Sequence, residues 1–185
     1  MAVLSIVKLY PENYNCKGSC LRMKSCDISP EELQSEWIRQ LATDMFETLY
    51  SNPSGVGLAA NQIAILKKIC VVDIKRDASN PIVLINPIYT PRGRETHTSN
   101  EVCLSFPGVV SEVNRYDEIE VSYINFQGER ITTVASGFKG NVFQHEIDHL
   151  NGIVQIDMIK DGKSPKSNEE YCKRMAKKAI ENLMC

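Results

Sequence analysis

Between Gly137 and Leu150 the chain carries His145-Glu146-Ile147-Asp148-His149 in a stretch that reads as a helix, with Gly152 just past its end as a C-cap. Residues four apart on a helix share a face, so the two imidazoles can converge on one ion. Glu146, one step round from His145, can reach a water bound to that ion. The ion lowers the pKa of the water, and the carboxylate takes its proton. H-E-x-x-H is short enough to arise by chance on a solvated helix face; here the helix and its C-cap supply the context the chemistry needs. Two ligands do not complete a catalytic zinc site, which usually has three protein ligands and a water. The motif therefore demands a fold that brings a third ligand to this helix.

Several residues compete for that place. Metzincin proteases use a His six residues after the second one, but Gln155 stands there. Thermolysin-like proteases use a Glu further along; Glu169 and Glu170 fit by distance but read as the first turn of a last helix. Only 36 residues follow His149, too few for a large second domain. His97, in the polar stretch Arg94 to Asn100, reads as surface or loop. Cys103, in Glu101-Val102-Cys103-Leu104-Ser105, would complete a Cys-His-His site as a thiolate, although a free Cys in apolar surroundings is commonly a core residue.

The rest of the chain gives the frame. Ser29-Pro30-Glu31-Glu32 reads as a capped helix start, with Leu33, Trp37, Leu41, Met45 and Leu49 as one apolar stripe ending before Asn52-Pro53-Ser54-Gly55. Ile69–Ile74 and Ile82–Ile85 read as strands, the second interrupted by Asn86-Pro87. Ile119, Val121 and Tyr123 alternate with polar residues, and Ile131–Ala135 returns after a Gln127-Gly128 turn. Ser167-Asn168-Glu169-Glu170 resembles a second capping box, opening a last helix with Tyr171, Met175, Ala179 and Leu183 on one face. Helices and strands do not alternate regularly, which predicts an α+β fold with mainly antiparallel sheet, in a single domain over 1–185.

The 185 residues carry a formal net charge of −2, so no strong attraction to nucleic acid or to a membrane surface is implied. No apolar run approaches the about 20 residues that cross a bilayer, and the first ten do not read as a signal peptide; the expected location is the cytoplasm. Of seven cysteines, the six other than Cys103 lack close ligand spacing and read as free thiols of a reducing compartment. Cys16, Cys20 and Cys26 cluster near the start without a recognisable motif.

A third unusual stretch runs from Gly55 to Gln62, GVGLAANQ. Its paired glycines and small alanines permit close backbone approach to a ligand or another strand. Taken with EVCLS at Glu101 to Ser105 and QHEIDHLNG at Gln144 to Gly152, it resembles the peptide deformylase family, whose pattern is G-φ-G-φ-A-A-x-Q, then E-G-C-φ-S, then Q-H-E-φ-D-H-L-x-G, φ being apolar. The three motifs match in order and separation, and the resemblance runs from about Leu33 to the end.

That resemblance implies mainly antiparallel sheets around a central helix carrying the HExxH motif, with a C-terminal helix. It implies that Cys103, His145 and His149 bind one divalent metal ion, often Fe(II) in cells and replaceable by Zn or Ni. Glu146 would be general base and then acid, while Gln62 and the backbone N–H of Leu104 would stabilise the oxyanion. Gly57 would contact the substrate main chain, and Val56, Phe138 and Val142 would line a methionine side-chain pocket. Arg115 would support Glu101. The implied reaction is hydrolysis of the N-formyl group from the formyl-methionine of nascent polypeptides, releasing formate, at the ribosome, in a bacterial-type cytoplasm or an organelle. The departures are Val102, where the family usually has Gly, and a loosely matching first 30 residues. Val102 is expected to adopt an ordinary β-region backbone. A small metalloprotease and a slow regulatory paralogue are the competing readings.

Overall fold

In the computed structural model, residues 2–10, 13–14, 16–159 and 166–167 are described. The capped start at Ser29 forms as read: its side chain accepts from the Glu32 N–H, and the Glu32 carboxylate accepts from the Ser29 N–H. The helix it opens, α1 (Pro30–Leu33), stops after one turn, and Ser35 caps a second, α2 (Glu36–Tyr50). That break changes the phase of the apolar stripe. Ile38, Leu41, Ala42, Met45 and Leu49 are buried, while Trp37 of the expected stripe is 48% exposed.

Five strands form one antiparallel sheet in the order β1 (Gly57–Ala59), β2 (Ile69–Val72), β3 (Ile82–Pro91), β6 (Glu118–Ile124), β7 (Arg130–Ser136). β2 has no polar side because both its faces are covered. Ile69 and Val71 pack with Ile38, Met45 and Leu49 of α2, whereas Cys70 and Val72 pack with Val142, Phe143 and Ile147 of α3 (Gly137–Leu150). Asn86-Pro87 does not end β3 as expected. Asn86 takes φ +49, the register shifts between Ile85 and Ile88, and its side-chain amide exchanges two hydrogen bonds with the Ile28 backbone, so the strand runs on to Pro91.

The second sheet is a hairpin of β4 (Thr96–Cys103) and β5 (Phe106–Tyr116), extended by β8 (Lys166–Ser167). Neither β4 nor β5 is evident from apolar periodicity. β5 is fastened to α3 by Gln144, whose side-chain carbonyl accepts from the Tyr116 N–H at 3.0 Å and whose NH₂ donates to the Tyr116 carbonyl at 3.1 Å. α3 thus has a sheet on each side, which is why Gln144, Glu146, Asp148 and His149 are buried and only its first turn, at Gly137 and Phe138, is exposed. It starts and ends where the sequence predicts. Gly152 holds φ +77 and donates to the His149 carbonyl; a Cβ there would lie 2.8 Å from the Arg22 carbonyl oxygen. Ser167, the expected cap of the last helix, stands in β8, and that helix lies outside the described residues.

Candidate metal centre and active-site cleft

Cys103 is the last residue of β4, held immediately before the Leu104-Ser105 turn by the Cys103–Phe106 pairing. Its Sγ lies 3.2 Å from His149 Nε2, and His149 Nε2 lies 3.2 Å from His145 Nε2. The three donor atoms lie within 4.8 Å of one another. An ion on a tetrahedral site, about 2.1 Å from each nitrogen and about 2.3 Å from sulfur, needs its donors about 3.4–3.6 Å apart; the two pairs that share His149 Nε2 are close to that, and the Cys103–His145 pair would close to it around an ion. One thiol and two imidazoles suit borderline-soft metals. Two Nε2 atoms this close cannot both carry a proton. Burial and the charge of His145 push His149 well down; burial also lowers His145, but Cys103 and Glu101 outweigh it and hold that imidazole up.

A buried ionic frame orients the imidazoles. His145 Nδ1 is 2.8 Å from Glu101 Oε2. Arg115 grips Glu101 with two hydrogen bonds, 2.7 and 2.9 Å, and donates a third to Asp148, which also accepts from the Tyr89 hydroxyl. Burial would raise the Glu101 pKa, but the hydrogen bonds from Arg115 and His145 prevail and hold it at about 2. A carboxylate on the outer nitrogen of a ligand His fixes its tautomer and orientation. The expected Arg115–Glu101 support is therefore present as a direct contact, and Asp148, inside the motif, is a member that sequence reasoning missed.

Glu146 is 4% exposed, and its Oε2 has no hydrogen-bond partner. Burial raises its pKa to about 7, against the opposing charge of His145. A carboxyl group with that value and a free oxygen can take up and return a proton near neutrality. Gly57 explains its position in part: a Cβ on Gly57 would lie 2.8 Å from Glu146 Cδ, so only glycine leaves room for the carboxyl group.

Gln62 is buried after β1. Its carbonyl accepts from the Ala59 N–H at 2.8 Å, which turns its NH₂ toward Cys103 Sγ (3.4 Å) and Ser105 Oγ (3.2 Å). These groups open on a cleft of about 550 Å³ lined by Val56, Gly57, Gln62, Val102, Cys103 and Leu104 from one side and by Phe138, Val142, His145 and Glu146 from α3. All ten residues singled out as site candidates lie at this cleft or, for His149, directly behind it. Val102 has no strained backbone: the non-glycine residues with positive φ among those described are Ala64, Arg76, Ala78 and Asn86. The irregularity falls on β5 instead, where Gly108 takes φ +75 and the partner of β4 moves from Ser111 at Glu101 to Phe106 at Cys103.

Other expectations resolve differently. Gln155 is buried in a short 3-10 turn, away from the three donors. His97 is a strand residue of β4 rather than loop, bonded to Asp117 at 2.6 Å and to Asn141 at 3.1 Å. Cys16, Cys20, Cys26, Cys70 and Cys103 are free thiols. Among the described residues, no helix is long and apolar enough to cross a membrane.

The family model described as polypeptide deformylase matches residues 8–165. A peptide deformylase of Endomicrobium trichonymphae is 44% identical over 143 residues, 77% of this chain and 83% of its own length. One from Neisseria gonorrhoeae is 39% identical over 145 residues, 78% of this chain and 86% of its own length. Among solved structures, the actinonin-bound class I type b peptide deformylase of Acinetobacter baumannii superposes with a TM-score of 0.75 at 35% identity, covering 86% of this chain and 100% of that one. A Legionella pneumophila peptide deformylase covers 99% of this chain and 96% of its own, with a TM-score of 0.75 at 29% identity.

Proposed function

The chain belongs to the polypeptide deformylase family and is a hydrolase that removes the N-formyl group from nascent peptides; from that premise we propose how its own residues divide the reaction. The single observation that carries the assignment is the convergence of Cys103 Sγ, His145 Nε2 and His149 Nε2 beside a buried, unpartnered Glu146 carboxyl oxygen. Cys103, His145 and His149 would hold the metal, Fe(II) in cells, with Zn or Ni able to replace it. A divalent ion there supplies Lewis acidity toward water and the formyl oxygen.

The remaining steps belong to side chains and backbone. Glu146 accepts the proton of the attacking water on a carboxylate oxygen, and later returns it to the departing amine nitrogen as the C–N bond breaks and formate forms. The Gln62 NH₂, giving up its long 3.4 Å contact with Cys103 Sγ, and the Leu104 backbone N–H would donate to the oxyanion. Val56, Phe138 and Val142 receive the methionine side chain, and Gly57, besides making room for Glu146, lets the substrate main chain approach. The reading includes a central helix bearing the HExxH motif within one catalytic domain over 1–185, and action on formyl-methionyl chains at the ribosome, in a cytoplasmic setting. The ordinary backbone at Val102 favours an active enzyme over a slow regulatory paralogue.

The test is formate release from formyl-Met-Ala-Ser by protein purified anaerobically with Fe(II), beside the acetylated peptide. Rapid release from the formyl peptide alone is expected. Equal cleavage of both peptides, or internal peptide cleavage, would overturn the reading.

A further inference from the structure

Phe138, Asn141, Val142 and His145 lie on one face of α3, and all four line the cleft. Three of them have been given work above; Asn141 has not. Opposite it, Ser99 lines the same cleft from β4, two residues before Glu101. The wall that would receive the first side chain is therefore apolar at Val56, Phe138 and Val142 and polar at Ser99 and Asn141.

This polar side is organised. Asp117 Oδ1 lies 2.6 Å from His97 Nδ1, and an ionised carboxylate can only accept, so Nδ1 carries the hydrogen. Asn141 Nδ2 can only donate, so His97 Nε2, 3.1 Å away, is the acceptor. The same NH₂ donates to Ser99 Oγ at 3.1 Å. Both amide hydrogens of Asn141 are spent, and its carbonyl Oδ1 is left buried without a partner. Ser99, having accepted, keeps its own O–H to donate. Oδ1 is shielded as the amide stands, and a small turn of that amide toward the cleft it lines would present the oxygen as an acceptor beside the Ser99 O–H donor. A buried carbonyl without a donor is destabilising, and a suitable ligand group would relieve that cost.

We propose that this cleft is built to take, besides methionine, a first side chain of methionine's length that ends in a neutral hydrogen-bonding group, an amide being the matching chemistry. A side-chain amide donates its N–H to Asn141 and accepts from Ser99, whereas a hydrocarbon end does neither. The proposal rests on the deformylase reading. His97 and Asp117 act only through Asn141, as positioning residues.

The experiment measures kcat/KM for formyl-Gln-Ala-Ser, formyl-norleucyl-Ala-Ser and formyl-Met-Ala-Ser with the Fe(II)-loaded enzyme and with Asn141→Leu and Ser99→Ala. In the wild type the glutaminyl peptide should be turned over within about tenfold of the norleucyl peptide, and in either variant the glutaminyl-to-norleucyl ratio should fall at least tenfold, the scale of one or two hydrogen bonds. That ratio does not depend on the fraction of protein that is folded and metal-loaded. A hundredfold or greater wild-type preference for norleucine, or a ratio unchanged in both variants, overturns the proposal. Failure to turn over even formyl-Met-Ala-Ser would instead overturn the deformylase reading.

Discussion

Replacing Arg115 with methionine keeps much of the side-chain length but removes the charge on which two buried carboxylates depend. Arg115, Glu101 and Asp148 have side chains only 1%, 8% and 7% exposed. Removing one partner of a buried ion pair costs about 3–5 kcal/mol, mostly because the remaining charge is left without compensation. At about 2–4 °C per kcal/mol for a chain of this size, the thermal midpoint of metal-free protein should fall by about 6–20 °C, read by circular dichroism in a chelating buffer. The deficit should depend on pH. Glu101 is held at about 2 in the folded protein against about 4.3 when unfolded. A carboxylate depressed in this way gives stability that is fully present above the unfolded value and is lost as pH falls through the folded one. The gap between wild type and variant should therefore narrow between about pH 4 and pH 2.

The same change should loosen the metal, because Glu101 orients His145; competition with a chromogenic chelator should show affinity about 10–100-fold weaker. Combining Arg115→Met with Glu101→Gln and Asp148→Asn removes the stranded charges and should recover at least half of the lost stability, but not the metal affinity. A fall of less than about 2 °C in the single variant, or a triple variant no more stable than the single one, would refute the view that Arg115 acts by compensating these carboxylates.

Cys103→Ser should lose most tightly bound metal, since a neutral hydroxyl replaces a soft thiolate; full occupancy by elemental analysis would take Cys103 out of the site. Glu146→Gln should keep its metal yet lose turnover of formyl-Met peptides by at least about 10²-fold, and near-normal turnover would move the proton transfer elsewhere. Val102→Gly should change kcat/KM by less than about tenfold, or about 1.4 kcal/mol, because the valine has no positive φ to relieve. A hundredfold gain would mean that Val102 holds the site in a poorly active form.

The sequence disclosed the parts of the fold whose burial is apolar. α3 was bounded correctly because a glycine C-cap and the ligand spacing both mark it, and β2, β6 and β7 were visible through β-branched runs or alternation. The β4–β5 hairpin was not, for a physical reason. Its inward residues on β4 are His97, Ser99, Glu101 and Cys103, so the face turned to the protein is polar and the usual hydrophobic alternation is absent. The signal was alternation in chemistry rather than in hydropathy, with Val109, Ser111, Val113 and Arg115 repeating it on β5. Trp37 departs from the apolar stripe because Ser35 starts a new helix and resets its phase. Ser99, Asn141 and Asp148 escaped notice because their roles depend on partners far away in the chain.

Those distant partners meet by a simple match of lengths. Alternate residues on a strand are about 6.8 Å apart, and residues four apart on a helix rise about 6 Å. β4 and α3, laid side by side, can therefore stay in step over several contacts. Ser99 meets Asn141, Glu101 meets His145 and Cys103 meets His149, each within 3.2 Å. The i, i+4 spacing of the two histidines then has a second consequence beyond bringing both to one ion. It sets them opposite successive inward residues of the strand, so that one receives a carboxylate on its outer nitrogen and the other a thiol beside its inner one. The next step outward along the same two rows is Asn141 with Ser99. The polar wall of the cleft is thus a continuation of the pairing that builds the candidate metal centre, and a substitution at Asn141 tests the cleft without removing a candidate metal donor.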